Sequence, residues 1–205
     1  MFHLLFGPLL PGSRVAPTVK LAAMAEQLSL ASSLLEMSAR SPAEASRAVT
    51  QLIRNGVGLR RKLESRIARA GVHSTDPRLI CEAASEVLEV VRLVARVVRG
   101  REWLRLDATP AEVRDLEAMG VRSVRLLAAA VRGLGRSGGW LTGPAAAQPM
   151  KAEAEELYDK GVAAIFAEPL DPLEVLRRRA LYDLLLGVVS GSDRALEALQ
   201  TAYLP

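Results

Sequence analysis

A helix-start motif recurs along this sequence and points to a helical fold. Its form is a capping side chain, a proline at the first helical position and a glutamate at the third. The capping oxygen accepts a hydrogen bond from an N–H group that the first turn leaves unpaired, and the glutamate is favourable near the positive end of the helix dipole. The motif occurs at Ser41-Pro42-Ala43-Glu44, Thr109-Pro110-Ala111-Glu112 and Asp171-Pro172-Leu173-Glu174, and Asp76-Pro77 repeats it without the glutamate. We therefore predict helices whose starts are set locally.

Between these starts, apolar residues recur every three or four positions, which is the period of one helix face. The stripes predict six helices, at about 16–39, 42–70, 77–101, 110–136, 145–167 and 172–202. The stripe of the third helix consists of Ile80, Ala83, Val87, Val90, Val94 and Val98. The stripe of the sixth consists of Leu173, Leu176, Ala180, Leu184 and Val188. No segment has a credible strand pattern, so the predicted class is all-α.

The first three and the last three helices share one layout, in which an Asp-Pro step opens the final helix. Asp76-Pro77 and Asp171-Pro172 would be equivalent positions. This layout predicts a single domain over residues 1–205, built from two three-helix units at about 16–101 and 110–202. Common helix-start signals could also produce the likeness by themselves. The one long connection is predicted at residues 135–150, where Gly, Ser and Pro cluster.

The charge balance argues against a protein dedicated to binding nucleic acid. Twenty-seven basic residues face 23 acidic ones, which is a mild excess, whereas such binders usually concentrate their basic residues in a patch. The densest basic run, residues 59–69, contains no aromatic residue on which a base could stack. We interpret this run as a solvated helix face and expect no nucleic-acid partner.

Cysteine content and hydropathy predict a cytoplasmic protein. Cys81 is the only cysteine, which suits a reducing compartment, and it is expected to be a small buried residue. No run of about 18 uncharged apolar residues occurs, so we expect no membrane-spanning helix. The opening residues 1–12 are apolar but are interrupted by Pro8 and Pro11. They are predicted to pack on the domain or to touch the inner face of the membrane.

One acidic stretch, Lys151 to Phe166, raises the question of a metal site. Glu155 and Asp159 are four residues apart, so on a helix their carboxylates could converge on a divalent cation. A hard cation needs further oxygens from other helices, and a solvated border of the helix is the interpretation we favour. Glu156 and Lys160 have the spacing of a stabilising ion pair.

A second acidic group lies on one flank of the third helix, at Glu82, Glu86 and Glu89. Glu86 is the closest of the three to the apolar stripe, and Glu89 has Arg92 three residues away. We expect an exposed face with ion pairs here, and metal ligation is the alternative.

The sequence contains no recognisable catalytic constellation. Its two histidines, His3 and His73, lie at the terminus and in a predicted loop, without a Cys, His or carboxylate at metal-ligand spacing. The Gly-rich residues 135–140 lack the strand and the Lys-Ser/Thr pair of a phosphate-binding loop. We therefore do not expect an enzyme.

The chain resembles the PhoU-like family of phosphate transport regulators that accompany Pit-type inorganic phosphate transporters. Residues 151–158, KAEAEELY, match in register the family's Glu-x-x-Ala-Asp-x-Leu-Tyr, and Ile165-Phe166 fall where the family has Leu-Phe. Residues 171–186, DPLEVLRRRALYDLLL, resemble the family's next helix. MFHLLFG resembles its short start, and HSTDPRLI resembles its loop between the second and third helices.

The resemblance implies a six-helix PhoU-like bundle that regulates or adapts inorganic phosphate transport without catalysis. The partner would be a Pit-type phosphate transporter, contacted through helix faces at the cytoplasmic side of the membrane. Broad apolar faces also suggest a homodimer. The alternative function is a helical carboxylate protein that binds metal and has no role in transport.

The family's metal-binding acid pairs are only partly kept in this chain. In the fifth helix the pair would be Lys151 and Glu155, so the first acid is missing. A multinuclear metal centre is therefore expected to be lost or much reduced. The remaining candidates for a divalent or iron cofactor are Glu155, Asp159, Glu86 and Glu89.

Overall fold

The computed structural model describes residues 15–70, 76–104, 109–134 and 142–203, and within these segments the chain is helical with no strand. The helices are α1 (Val15–Ser38), α2 (Pro42–Ala70), α3 (Pro77–Leu104), α4 (Ala111–Gly133), α5 (Thr142–Ala167) and α6 (Pro172–Tyr203). The all-α prediction is confirmed. The predicted helix bounds differ from these by three residues at most. The predictions for residues 1–12, His3 and His73 lie outside the described residues.

Four helices form the centre of the molecule. Helices α1, α4, α6 and α3 pack in a closed ring in that order, each against its two neighbours. Helix α2 packs on α1 and α3, and α5 packs on α4 and α6. The result is a four-helix bundle with one outer helix on each of two opposite sides. Each contact among α1, α2 and α3 has a counterpart among α4, α5 and α6. The contact of α1 with α2 corresponds to that of α4 with α5, α2 with α3 to α5 with α6, and α1 with α3 to α4 with α6.

The predicted apolar stripe of α3 faces the core. All six stripe residues of α3 are buried, because α3 lies among α1, α2 and α6. Among the helices that the structure describes, none has an apolar stretch sufficient to span a bilayer. Cys81 is half-buried rather than buried, and that partial burial raises the pKa of its thiol.

The predicted stripe of α6 is wrong in its first two turns. Leu173 is 53% exposed and Leu176 is 66% exposed. Val175 is the residue of these turns that packs against the core, partly buried, and from Leu181 onward the fully buried face passes through Leu185 and Leu196. The predicted stripe was drawn through Leu173 and Leu176, but no neighbouring helix covers these two residues.

The helix starts are partly as predicted. The Asp76 carboxylate accepts a hydrogen bond from the Arg78 N–H group at 2.8 Å, and Asp171 does the same for Leu173 at 2.8 Å. The Thr109 prediction is wrong, because α4 begins after Pro110 without a side-chain cap.

The long connection before α5 is shorter than predicted. Residues 142–150 are helical, and Pro149 lies inside the helix. An interior proline removes one main-chain hydrogen bond and crowds the preceding turn. Pro149 is exposed, whereas Ala147 and Ala154 on either side are buried. The packing of these alanines outweighs the local signal to end the helix.

Candidate functional site

The turn between α5 and α6 brings together the two segments that carry the family resemblance. The Glu168 N–H group donates to the Ala164 carbonyl at 3.2 Å, which extends the α5 hydrogen bonding by one residue. The Val175 N–H group donates to the Asp171 carbonyl at 3.0 Å, which opens α6. Because the connection is so short, α5 and α6 pack as an antiparallel hairpin.

The Arg178 side chain connects this turn to α6 through two hydrogen bonds. Its guanidinium donates to Glu174 at 2.9 Å and to Glu168 at 3.0 Å, and its side chain is only 14% exposed. The bond to Glu174 is the main cause that raises the pKa of Arg178. A charged group held by two carboxylates gives the turn a defined shape.

Three large apolar side chains project from this end of the hairpin into solvent. Phe166 in the last turn of α5 is 70% exposed, and Leu173 and Leu176 in the first turns of α6 are 53% and 66% exposed. We call these three residues the hairpin tip. The three residues lie within the last turn of α5 and the first two turns of α6, and large exposed apolar side chains at one end of a hairpin indicate a place where another surface could bind.

Below the hairpin tip, tyrosines join α5 to α6. The Tyr158 hydroxyl donates to Asp183 at 2.6 Å, and the Arg179 guanidinium lies 5.2 Å from the centre of the Tyr158 ring. Tyr158 and Tyr182 meet edge to face with ring centres 6.4 Å apart. Burial, followed by the bond to Asp183, raises the pKa of Tyr158. Burial raises the pKa of Tyr182 to about 12.

Gly161 allows this close contact between the two helices. A methyl group at Gly161 would overlap the ring of Tyr182, which is almost fully buried. The backbone of α5 can therefore approach the Tyr182 ring only because Gly161 has no side chain.

Lys151 stands where the family resemblance would place an acid, and the structure gives it a partner. Its ammonium group donates to the Asp193 carboxylate at 3.1 Å, and Asp193 on α6 is only 4% exposed. The hydrogen bond with Asp193 is the main cause that raises the pKa of Lys151. Sequence reasoning missed Asp193. The signal for it was a carboxylate that directly follows the small and apolar residues 187–192 of α6.

The metal candidates of α5 do not come together with further ligands. Glu155 and Asp159 are both exposed, while the Glu156–Lys160 ion pair forms as predicted at 2.6 Å. In the segments that the structure describes, no group of three or more His, Cys, Asp and Glu is arranged to hold a metal ion.

The candidates of α3 are engaged with arginines. Glu89 contacts Arg92 at 3.2 Å, as predicted, and Arg96 at 3.5 Å. Glu86 lies 3.7 Å from Arg194 on α6. A cation here would have to displace these guanidinium groups. Metal ligation by Glu155, Asp159, Glu86 and Glu89 stays a prediction that has no further ligand among the described residues.

The basic run of α2 is solvated where its side chains are described. Arg61 and Lys62 are exposed, and Arg60 is bound to Glu64 at 2.7 Å. These side chains resemble an ordinary helix surface with ion pairs.

Comparison with known proteins gives no relative from which a role could be assigned. No model of a known protein family matches the sequence, and no curated protein matches it significantly. The resemblance to PhoU-like regulators stays a prediction.

Proposed function

We propose that this protein is a PhoU-like regulator or adaptor of inorganic phosphate transport. It acts without catalysis, at the cytoplasmic face of the membrane, by direct contact with a Pit-type phosphate transporter. The observation that carries the proposal is the hairpin tip. Its exposed residues Phe166, Leu173 and Leu176 lie in or directly beside the segments that resemble the family.

The arrangement of the helices supports the fold part of the proposal. A tandem of two three-helix units requires that each contact in one half has a counterpart in the other. The contacts of α1, α2 and α3 with one another do recur among α4, α5 and α6. Between the halves, α1 packs on α4 and α3 packs on α6, so equivalent helices meet each other.

The hairpin tip supports the partner part of the proposal. Its apolar side chains face solvent next to a turn that Arg178 holds in shape. A preformed apolar surface loses little conformational entropy when it binds. Three exposed side chains make a small contact, which suits a regulatory interaction that forms and breaks.

Co-purification with the transporter tests this proposal. The tagged chain and a Pit-type transporter are produced in the same cells, and the transporter is measured in the captured material. We expect wild type to retain the transporter and the double variant Phe166→Ala/Leu176→Ala to lose most of it. Deletion of the chain should change the rate of phosphate uptake.

Leu30 provides a matched control, because it is 46% exposed on α1, which packs on α2, α3 and α4, and its neighbour Ser29 bonds to Arg132 near the end of α4. The Leu30→Ala variant should capture the transporter as well as wild type does. Failure of wild type to capture the transporter, together with unchanged phosphate uptake after deletion, would contradict the proposal. Equal losses in the control and in the hairpin-tip variant would contradict the assignment of the surface.

A further inference from the structure

A cleft separates the end of α1 from the first turns of α4. It has a volume of about 700 Å³, which lies within the range of small-molecule binding sites. Four arginines line it, namely Arg40 beside the end of α1 and Arg114, Arg122 and Arg125 on α4. The acidic residues of its lining are Glu36 and Glu117.

Both acidic residues of the cleft already have a partner. Glu36 accepts a hydrogen bond from Arg125 at 2.8 Å. Glu117 accepts one from Arg101 of α3 at 2.6 Å, and both side chains of that pair are more than nine-tenths buried. The negative charge of the cleft is therefore balanced by arginines before any ligand enters.

The other three arginines of the cleft are not balanced. Arg40, Arg114 and Arg122 are exposed, and none of them has an ion-pair partner in the described part of the chain. Three uncompensated guanidinium groups around one concave surface create a positive potential that attracts small anions.

The spacing of these arginines indicates the size of the anion. Arg114, Ala118 and Arg122 follow one another at intervals of four residues and share one face of α4. At a rise of about 1.5 Å per residue, the two arginines stand roughly 12 Å apart along the helix. Ala118 between them is small, which leaves room for a ligand, and Arg40 approaches from α1.

At the base of the cleft, Glu117 and Arg101 form a buried ion pair. Glu117 lies in the lining, and burial raises the pKa of its carboxyl group, an effect larger than the opposing pull of Arg101. The side-chain atoms Nε of Arg101 and Oε1 of Glu117 are buried without a hydrogen-bond partner. The ionised pair is neutral overall, and protonation of Glu117 would leave the positive charge of Arg101, so in neither state does the pair add net negative charge to the cleft.

We propose that the cleft between α1 and α4 binds a small anion that carries two or more phosphoryl groups. Each free guanidinium can bind a phosphoryl group through two parallel hydrogen bonds. Two separated groups match the spacing of Arg114 and Arg122 better than one group does. The proposal does not depend on a role in phosphate transport.

Titration calorimetry with inorganic tripolyphosphate at low salt tests the site. We expect one tripolyphosphate per chain. Single variants Arg114→Ala and Arg122→Ala should each weaken binding roughly tenfold or more, because each removes charge-assisted hydrogen bonds. Arg40→Ala should weaken it in the same way from the other side of the cleft. All three residues are exposed, so the variants should melt close to wild type.

Arg54→Ala is the matched control, because Arg54 is exposed on α2 and has no ion-pair partner among the described residues. It should bind tripolyphosphate as wild type does, and inorganic phosphate should bind wild type at least tenfold more weakly than tripolyphosphate. The proposal is overturned by absence of saturable binding or by an equal loss in the Arg54 variant. Inorganic phosphate that binds as tightly as tripolyphosphate would overturn the requirement for several phosphoryl groups.

Discussion

Helices α2 and α5 cover opposite sides of the same four-helix bundle, but different interactions hold them there. The fully buried apolar side chains described for α2 are mostly large, whereas those described for α5 are mostly small, and its larger residues Met150, Leu157 and Tyr158 are only partly buried against the core. The buried apolar residues of α2 are Ala45, Val49, Leu52, Leu63 and Ile67. Those of α5 are Ala147, Ala154 and Ile165.

The outer helix α5 compensates with polar contacts to α6. Tyr158 bonds to Asp183, and Lys151 bonds to the buried Asp193. Burial of apolar area is insensitive to pH, whereas contacts of ionisable groups change as those groups titrate. The side of the molecule with the hairpin tip therefore depends on close approach and charge, whereas the α2 side depends on apolar volume.

Among the variants considered, truncation of a large buried side chain in α2 should lower the free energy of unfolding the most. Leu52 is fully buried, so Leu52→Ala should lower the free energy of unfolding by about 3 kcal/mol through lost burial and a cavity. Denaturant unfolding measures this change. Leu30→Ala is the control, because Leu30 is 46% exposed and its loss should cost less than about 1 kcal/mol. Equal effects of the two variants would contradict the proposed attachment of α2.

The next largest loss of stability should come from adding a methyl group to α5 where it packs closely on α6. Gly161→Ala would push a methyl group into the Tyr182 ring, and we expect a loss of about 2 kcal/mol in the free energy of unfolding. In α2, Gly58 has nothing within 4 Å of an added methyl group. Gly58→Ala should therefore stabilise the chain by about 0.5–1 kcal/mol through helix propensity. We expect the free energy of unfolding to fall in Gly161→Ala and to rise in Gly58→Ala. A change in the same direction in both variants would contradict the close approach at Gly161.

Alkaline pH should weaken the contact around Tyr182. Its pKa is raised from 10.0 to about 12, so above pH 10 the unfolded chain ionises this tyrosine while the folded chain keeps it neutral. Stability is therefore unaffected below pH 10 and falls as the pH rises through 10 toward the folded value. The loss from Tyr182 should reach about 1 kcal/mol at pH 11.

Unfolding experiments at neutral pH and at pH 11 check this prediction. Tyr182→Phe should show the smaller decrease between the two conditions, because it lacks the titrating hydroxyl. Tyr203 gives an independent comparison on α6, since burial also raises its pKa to about 12. An unchanged pH dependence in Tyr182→Phe would contradict the assigned burial.

The Lys151–Asp193 pair should contribute the smallest of these effects. Asp193→Asn keeps the shape of the side chain and should lower the free energy of unfolding by about 1 kcal/mol at neutral pH. Because the pKa of Lys151 is raised above 10.5, its contribution is complete below pH 10.5 and is lost at higher pH. Lys160→Met is the control, since its partner Glu156 is exposed and such a pair contributes less than about 0.5 kcal/mol. Equal losses in both variants would contradict a special role for the buried carboxylate.

The helices could be predicted well because their signals act over a few residues. The caps at Asp76 and Asp171 bond to backbone groups two residues away. The three-to-four residue spacing of apolar side chains identified six buried residues of α3, but it missed a second buried row that includes Leu88, Val91 and Ala95. The same local reasoning failed for Leu173 and Leu176, since their spacing is helical but no neighbouring helix covers them.

The candidate site could be predicted only in part. The spacing of Glu156 and Lys160 was sufficient to predict their ion pair, because both residues lie on one helix. The partner of Lys151 was not predictable in this way, since Asp193 is 42 residues away. Its carboxylate reaches Lys151 because α5 packs on α6, and a pattern within one helix contains no information on that packing.

The amino-acid sequence alone specified six helices, the buried stripe of α3 and the ion pairs Glu89–Arg92 and Glu156–Lys160, because hydrogen bonding and helical periodicity are local. Only the tertiary structure decided which charges are compensated and which apolar residues stay exposed. Arg101 balances Glu117 and leaves Arg114 and Arg122 free for a ligand. That outcome depends on the packing of α3, α4 and α1 around one another, and packing brings together residues that are far apart in the chain.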